Sequence, residues 1–182
     1  MVIMDAFNPP YRTDLLDYSV GIDLGFVNLS ICIVAYNPKN KSETIEIFKP
    51  KLKDEKMDIE EIIRILSIAT PQDTFKALME DVHSFPQQGV ASTFKFGFSK
   101  GLISGIVKAT NPKSELILVS PQKWKKYYGL IKKDKKDSIQ KALGWLPVDK
   151  TDPMVIKMIT KDHNNAEAFL MAKYLQSGAY AL

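Results

Sequence analysis

The segment from Tyr18 to Tyr36, Y-S-V-G-I-D-L-G-F-V-N-L-S-I-C-I-V-A-Y, constrains the fold more than any other part of the chain. Val20, Ile22 and Leu24 alternate with other residues, and beyond Gly25-Phe26-Val27-Asn28 a second run follows, Leu29-Ser30-Ile31-Cys32-Ile33-Val34. Two short β-rich runs around a Gly- and Asn-containing turn read as a hairpin. A single charge, Asp23, lies inside the first run. Burying a lone carboxylate among β-branched side chains costs several kcal/mol unless a cation or hydrogen-bond donors compensate it. Two readings follow: Asp23 accepts hydrogen bonds from the turn after it, or it is a metal ligand on a central strand. The second is the working expectation.

Bulk properties narrow the class. A chain of 182 residues, 45% hydrophobic and 25% charged, suits one globular domain with a real core. Its one cysteine, Cys32, excludes an internal disulfide and a Cys-rich zinc site, and suits a reducing, intracellular compartment. No apolar run reaches membrane-spanning length, and no signal-peptide pattern opens the chain, so no membrane partner is expected. The net charge is only +4, but between Pro121 and Lys141 eight lysines face two acids, Asp134 and Asp137. Such a basic stretch is either a solvated face or a polyanion-binding surface, most simply for nucleic acid.

Residues 1–17, with Asn8-Pro9-Pro10, show no periodicity and read as an N-terminal arm to a single domain over 18–182. Thr44–Phe48 alternates as a third strand, so the first three strands form an antiparallel meander. After a charged connector (Pro50–Lys56), Met57–Ala69 has helical spacing with Asp58 as N-cap, and Thr74–His83 reads as a fourth strand parallel to the first. Ser84–Phe98 reads as a functional loop, with Ser99 capping a helix that runs through Lys108. Leu116–Val119 is a fifth strand, Ser120-Pro121 starts a short helix, and Lys135–Leu143 a further one. Asp152-Pro153 opens a brief helix, and Ala166–Gln176 is the final, amphipathic one. The pattern is α/β, with a mixed five-stranded central sheet flanked by helices.

Carboxylates fall on three of these elements: Asp23 on the first strand, Glu80 late in the fourth, and Asp162 with Glu167 around the start of the last helix. Asp81 competes with Glu80, but strand alternation sends the two to opposite faces. Acids converging from distant elements repel one another unless divalent cations sit among them, and an all-oxygen set suits Mg²⁺ or Mn²⁺. Two such ions about 4 Å apart activate a water and stabilise the leaving oxygen in phosphodiester hydrolysis. His163 and Glu167 share a helix face, as do Asn164 and Glu167, whereas Asp162 converges only as a residue preceding the helix. Asp162 and Glu167 are the favoured carboxylates, with His163 as a ligand or proton carrier.

These pieces together resemble the RuvC-type Holliday junction resolvases of the ribonuclease H-like superfamily, organellar and phage-type members most of all. The resemblance rests on Gly21–Gly25 (G-I-D-L-G), Leu78-Met79-Glu80, and Gln88–Gly97 with Ser99-Lys100-Gly101. Val119–Lys126 (V-S-P-Q-K-W-K-K) and Ala166–Ala172 (A-E-A-F-L-M-A) complete it. It spans roughly residues 18–176 and implies a ribonuclease H-like fold and a homodimeric two-metal endonuclease that nicks four-way DNA junctions in pairs. It matches Asp23 and Glu80 to the first two catalytic carboxylates, with Mg²⁺ as cofactor and Mn²⁺ able to substitute. Glu167 stands where the family usually has Asp. One turn ahead, where the family carries an acid or sometimes His, this chain reads Asp162-His163-Asn164, and the ligand among them stays open.

The resemblance also suggests the DNA contacts. Phe94 and Phe96 beside Lys95, Ser99 and Lys100 could stack on unpaired bases and meet phosphates, or the phenylalanines are core. Lys123, Trp124, Lys125 and Lys126 at a helix start suit backbone contact, unless Trp124 is core, and Lys132 and Lys133 extend the track. Two rivals remain. G-I-D-L-G also opens the phosphate motif of actin and Hsp70-type ATPases, which need a second lobe and a second Gly-rich loop that this chain lacks. The other is a catalytically silent branched-DNA-binding protein.

Overall fold

The computed structural model describes residues 16–53, 56–69, 75–83, 89–110 and 112–181. Strands β1 (Asp17–Asp23), β2 (Ser30–Asn37) and β3 (Ser42–Phe48) form the expected antiparallel meander. Two-residue strands β4 (Leu52–Lys53) and β5 (Lys56–Met57) pair across the stretch read as a plain connector, and β5 takes in Met57, read as the start of the helix. Helix α1 (Ile59–Ser67) follows, and the Asp58 carboxylate accepts the Glu61 N–H at 3.0 Å as its N-cap. β6 (Phe75–Glu80) then lies parallel to β1, and β7 (Glu115–Val119) parallel to β6, giving the sheet order β3-β2-β1-β6-β7. The strand containing Asp23 is therefore the middle of five.

Between β6 and β7 runs α2 (Val90–Thr110), which corrects the reading of Ser84–Phe98 as a loop. Gly97, Gly101 and Gly105 weakened the helical signal, yet the chain is helical from Val90. Residues 84–88 of that stretch lie outside the described residues. Ser99 is consequently not a cap: it is buried in mid-helix, and its hydroxyl donates to the Lys95 carbonyl at 2.9 Å. After β7 come α3 (Pro121–Tyr127), α4 (Lys135–Trp145), α5 (Pro153–Lys161) and α6 (His163–Gln176). α6 begins three residues earlier than its apolar spacing indicates, because Asp162 caps it through the Asn164 N–H. Asp17, read as part of the arm, is the first residue of β1, and residues 1–15 lie outside the described residues.

Two apolar layers sandwich the sheet. Val20 and Ile22 of β1 and Ala77 and Met79 of β6 pack with Ile62, Ile65 and Leu66 of α1 and Ile103, Ile106 and Val107 of α2. On the other face Cys32, Val34 and Leu78 pack with Phe169, Met171 and Tyr174 of α6, and α3, α4 and α5 close over that layer. The period of two places Gly21 and Asp23 on the α6 side, and the pairing of Gly21 with Leu78 places Glu80 there as well.

Gly21 has a steric reason. A Cβ at this position would stand 2.0 Å from the Ala168 carbonyl oxygen and 2.5 Å from the Ala172 nitrogen, both backbone atoms of α6. The helix thus lies directly on the central strand. Neither contact can yield without moving the helix, so Gly21→Ala should destabilise the fold by about 3 kcal/mol or more. Urea denaturation measures this, and an unchanged midpoint would refute the close approach.

Candidate active site

Asp23, Glu80 and Glu167 converge at the C-terminal edge of β1 and β6, where the start of α6 crosses the sheet. Burial first, then the neighbouring Glu167 and Glu80, raise the Asp23 carboxyl from the ordinary 3.8 to about 8 against the weaker pull of Lys125 and Lys49. Glu80 is raised too, again first by burial, with Glu167 adding to it and the Trp124 N–H and Lys125 opposing. At Asp23, burial and the two glutamates together outweigh the lysines, so an added cation would favour its ionised form. That is the electrostatic condition of a cation site.

Two of the three acids are held by named partners. The Trp124 indole N–H donates to Glu80 Oε1 at 2.9 Å, and the Ser138 hydroxyl to Glu167 Oε1 at 2.9 Å. Lys125 Nζ lies 3.4 Å from Glu167 Oε2 and 5.1 Å from the Trp124 ring centre. Trp124 is fully buried, so of its two readings the core one holds, and it is not a surface contact to DNA. A helix start bearing Trp and two lysines thus points its ring inward and one lysine at the acids. Lys49, Ser138 and Asn165 carried no sequence signal. Ser138 and Lys125 reach the site from α4 and α3, whose packing over α6 is tertiary.

The Asp162-His163-Asn164 triplet resolves into separate duties. Asp162 caps α6 with one carboxylate oxygen and pairs through the other with Lys49, just past β3. His163 Nδ1 lies 3.8 Å from Asp162 Oδ1, and burial, then Lys135, lowers its pKa. The Asn164 amide reaches the Asn28 carbonyl at 3.5 Å, in the turn after Asp23. Asn165 is buried, accepts from the Ser30 hydroxyl at 2.7 Å and donates to the Met158 carbonyl at 3.0 Å, fastening α6 to β2. Asp81 points to the opposite face, as alternation requires, where Lys100 Nζ meets it at 2.6 Å.

Among the described residues no group of three or more His, Cys, Asp or Glu side chains is gathered closely enough to grip a metal ion. The donor chemistry nonetheless fits a hard divalent cation. Oxygen donors come from three elements, and burial, with repulsion among the acids adding to it, already raises two of them.

Around Phe26, in the turn after β1, lies an aromatic and basic rim. Phe94 and Phe98, one turn apart on α2, stack at 6.5 Å, Phe98 meets Phe26 at 6.4 Å, and Lys95 Nζ lies 5.3 Å from the Phe26 ring centre. Phe94 is exposed, while Phe96 is half-buried on another side of the helix and Lys100 is engaged by Asp81. Lys126, Lys132 and Lys133 are exposed, and Lys123 donates to the Tyr180 carbonyl at 2.9 Å.

A carboxyl raised in the folded state favours folding below its unfolded pKa and loses that advantage as pH rises through the folded value. Asp23 should therefore cost the protein stability between about pH 4 and pH 8. In chelator, Asp23→Asn should melt several degrees above the unsubstituted protein at pH 8 and close to it at pH 4. Equal melting temperatures at pH 8 would refute the buried, repelled carboxylate.

No family model matches the sequence, and no curated protein matches it. Solved structures do. T. thermophilus RuvC in complex with Holliday junction substrate superimposes with a TM-score of 0.60 at 16% identity, covering 89% of this chain and 97% of that one. The fowlpox virus Holliday junction resolvase gives 0.54 at 19% identity, covering 90% of this chain and 99% of its own. The yeast mitochondrial Holliday junction resolvase gives 0.51 at 13% identity, covering 91% and 83%. The chain has the ribonuclease H-like fold of the RuvC-type Holliday junction resolvases.

Proposed function

We propose that this protein is a divalent-metal-dependent endonuclease that resolves four-way DNA junctions. The observation that carries the reading is the convergence of Asp23, Glu80 and Glu167 at one strand edge, where burial and the two glutamates outweigh the lysines at Asp23. The fold shared with junction resolvases supports it, as does the excess of lysine over Pro121–Lys141 beside the acids.

Asp23, Glu80 and Glu167 would hold the metal. Bound among them, Mg²⁺ or Mn²⁺, two ions per site, supplies an activated water and charge stabilisation for the leaving oxygen. Trp124 fixes Glu80 and Ser138 fixes Glu167, so both acids present their free oxygens in a set direction. Asp162, with its oxygens committed to the α6 cap and to Lys49, positions the helix start, and His163 stands beside it as a second-rank ligand or proton carrier. Lys125 joins the acids to the basic surface and neutralises charge where phosphate enters. Lys95, Lys126, Lys132 and Lys133 meet backbone phosphates, and Phe94 offers a ring to an unpaired base. Paired cuts need two such sites, so the working unit is a homodimer.

A catalytically silent junction-binding protein is the rival, favoured by the absence of a closed metal-gripping group among the described residues. Cleavage of a synthetic four-way junction in Mg²⁺ decides between them. Asp23→Asn and Glu167→Gln should each abolish cutting, by a factor of at least about 10³, while junction binding persists. No cutting of any branched or single-stranded DNA by the unsubstituted protein, in Mg²⁺ or Mn²⁺, would sink the enzyme reading. Junction affinity should also fall steeply with salt, because lysine–phosphate contacts release counterions. A nearly flat salt response would count against the lysine surface.

A further inference from the structure

Trp145 is the largest side chain that the active-site reading leaves without a task. It ends α4 with 42% of its surface exposed, and Tyr127 beside it is 44% exposed. The indole is nonetheless held in place. Tyr128 meets it edge-on at 5.2 Å and 88°, and Tyr127 lies 6.3 Å away at 52°. Tyr127 is braced in turn by Tyr128 at 4.9 Å and Tyr174 at 5.2 Å, and the Tyr128 hydroxyl donates to the Leu170 carbonyl at 2.9 Å. The frame is rooted in α6, so the ring is pre-set while much of it faces solvent. A rigid aromatic surface loses little conformational entropy when something stacks on it.

Beside the indole a groove of about 420 Å³ lies between the turn after α3 and the flank of α4, lined by Gly129, Lys133, Gln140, Lys141, Gly144 and Trp145. That volume falls within the range of small-ligand clefts, about 300–1,000 Å³. A Cβ on Gly144 would meet nothing within 4 Å, so no internal packing demands glycine there, although glycine costs a helix about 1 kcal/mol. Its absence of side chain leaves the groove open. Asp137 also lines the groove, but its carboxylate accepts the Asp134 N–H at 2.8 Å in the α4 capping box. The remaining groups are a fixed aromatic ring, an exposed amide with both donor and acceptor, and two lysines.

We propose that this groove takes one unpaired nucleotide, its base stacked on Trp145 with its edge toward Gln140, and its flanking phosphates on Lys133 and Lys141. Stacking tolerates any base, and lysines grip phosphate as point charges, so the site favours single-stranded or unstacked DNA without sequence preference. It deepens the nucleic-acid half of the reading above and is independent of cutting. Trp145 would be a binding residue for bases opened at or near a branch.

The chain has two tryptophans, and Trp124 is fully buried, so a change in the exposed fluorescence reports Trp145. With chelator present, titration with a short oligo(dT) strand should quench that emission. Trp145→Leu should abolish the quench and weaken oligo(dT) binding about tenfold, and Trp145→Phe, which keeps a ring, should restore most of the affinity. Undiminished binding by Trp145→Leu, or an absent quench in the unsubstituted protein, overturns the proposal. Should Trp145→Leu lose its cooperative melting transition, Gln140→Glu on the exposed rim decides. A loss of several-fold in oligo(dT) affinity supports the groove and no loss overturns it. A protein that quenches on oligo(dT) but never cuts a junction refutes the endonuclease alone. One that cuts without the quench refutes the groove alone.

Discussion

The packing of α6 on β1 at Gly21 is the constraint on which the rest of the molecule depends. Helix and sheet ordinarily keep a side chain's thickness between their backbones, but here no Cβ fits between Gly21 and the Ala168 carbonyl. Small residues on both sides, Gly21 against Ala168 and Ala172, permit the approach, and the buried pairing of Asn165 with Ser30 sets its register. Because Glu167 directly precedes Ala168, its distance from Asp23 is decided by this contact. A helix standing further off the sheet would leave the two acids too far apart to act on each other as strongly as they do.

That closeness is costly, and the structure offsets it only in part. Lys125 and Lys49 draw Asp23 back toward ionisation, yet burial and the two glutamates outweigh them. The fold is thereby poised for an added positive charge. Direct partners on Glu80 and Glu167, from Trp124 and Ser138, keep those acids from turning away to solvent in the meantime. Asp162 contrasts with them. Its cap and its lysine leave it satisfied, and a satisfied carboxylate has less to gain from a cation.

The parts of this arrangement that were legible in the sequence are those set by local rules. The opening hairpin, the parallel fourth long strand, the Asp58 cap and the face shared by Asp23 and Glu80 follow from periodicity of two, capping chemistry and alternation. The misread segment, Val90–Phe98, carries glycine and closely spaced phenylalanines, which local propensity assigns to a loop. It is helical because Ile103, Ile106 and Val107 further along the same helix bury against the sheet and α1, and the helix extends from that anchor. The start of α6 was missed for a related reason: His163 and the two asparagines are poor helix formers, and the Asp162 cap compensates them. Lys49 and Ser138 were not legible at all, since nothing in a single chain marks which exposed-looking polar residue will be folded against an acid far away in sequence.

Helix α3 shows how much one short element can join. Its Trp124 passes beneath to hold Glu80, its Lys125 turns to Glu167, and its Tyr127 with the adjoining Tyr128 frames Trp145 on the outer surface. The proposed cutting site and the proposed nucleotide groove are thus two ends of a seven-residue helix whose centre is buried. A shift of that helix could not alter one end alone. Moving Trp124 away from Glu80 would carry the tyrosines with it, because Trp124 and Tyr128 are in edge contact at 6.4 Å and Tyr128 is tied to the α6 backbone. Since α6 also carries Glu167, DNA seated against Trp145 would bear on the same rigid unit that positions two of the three acids.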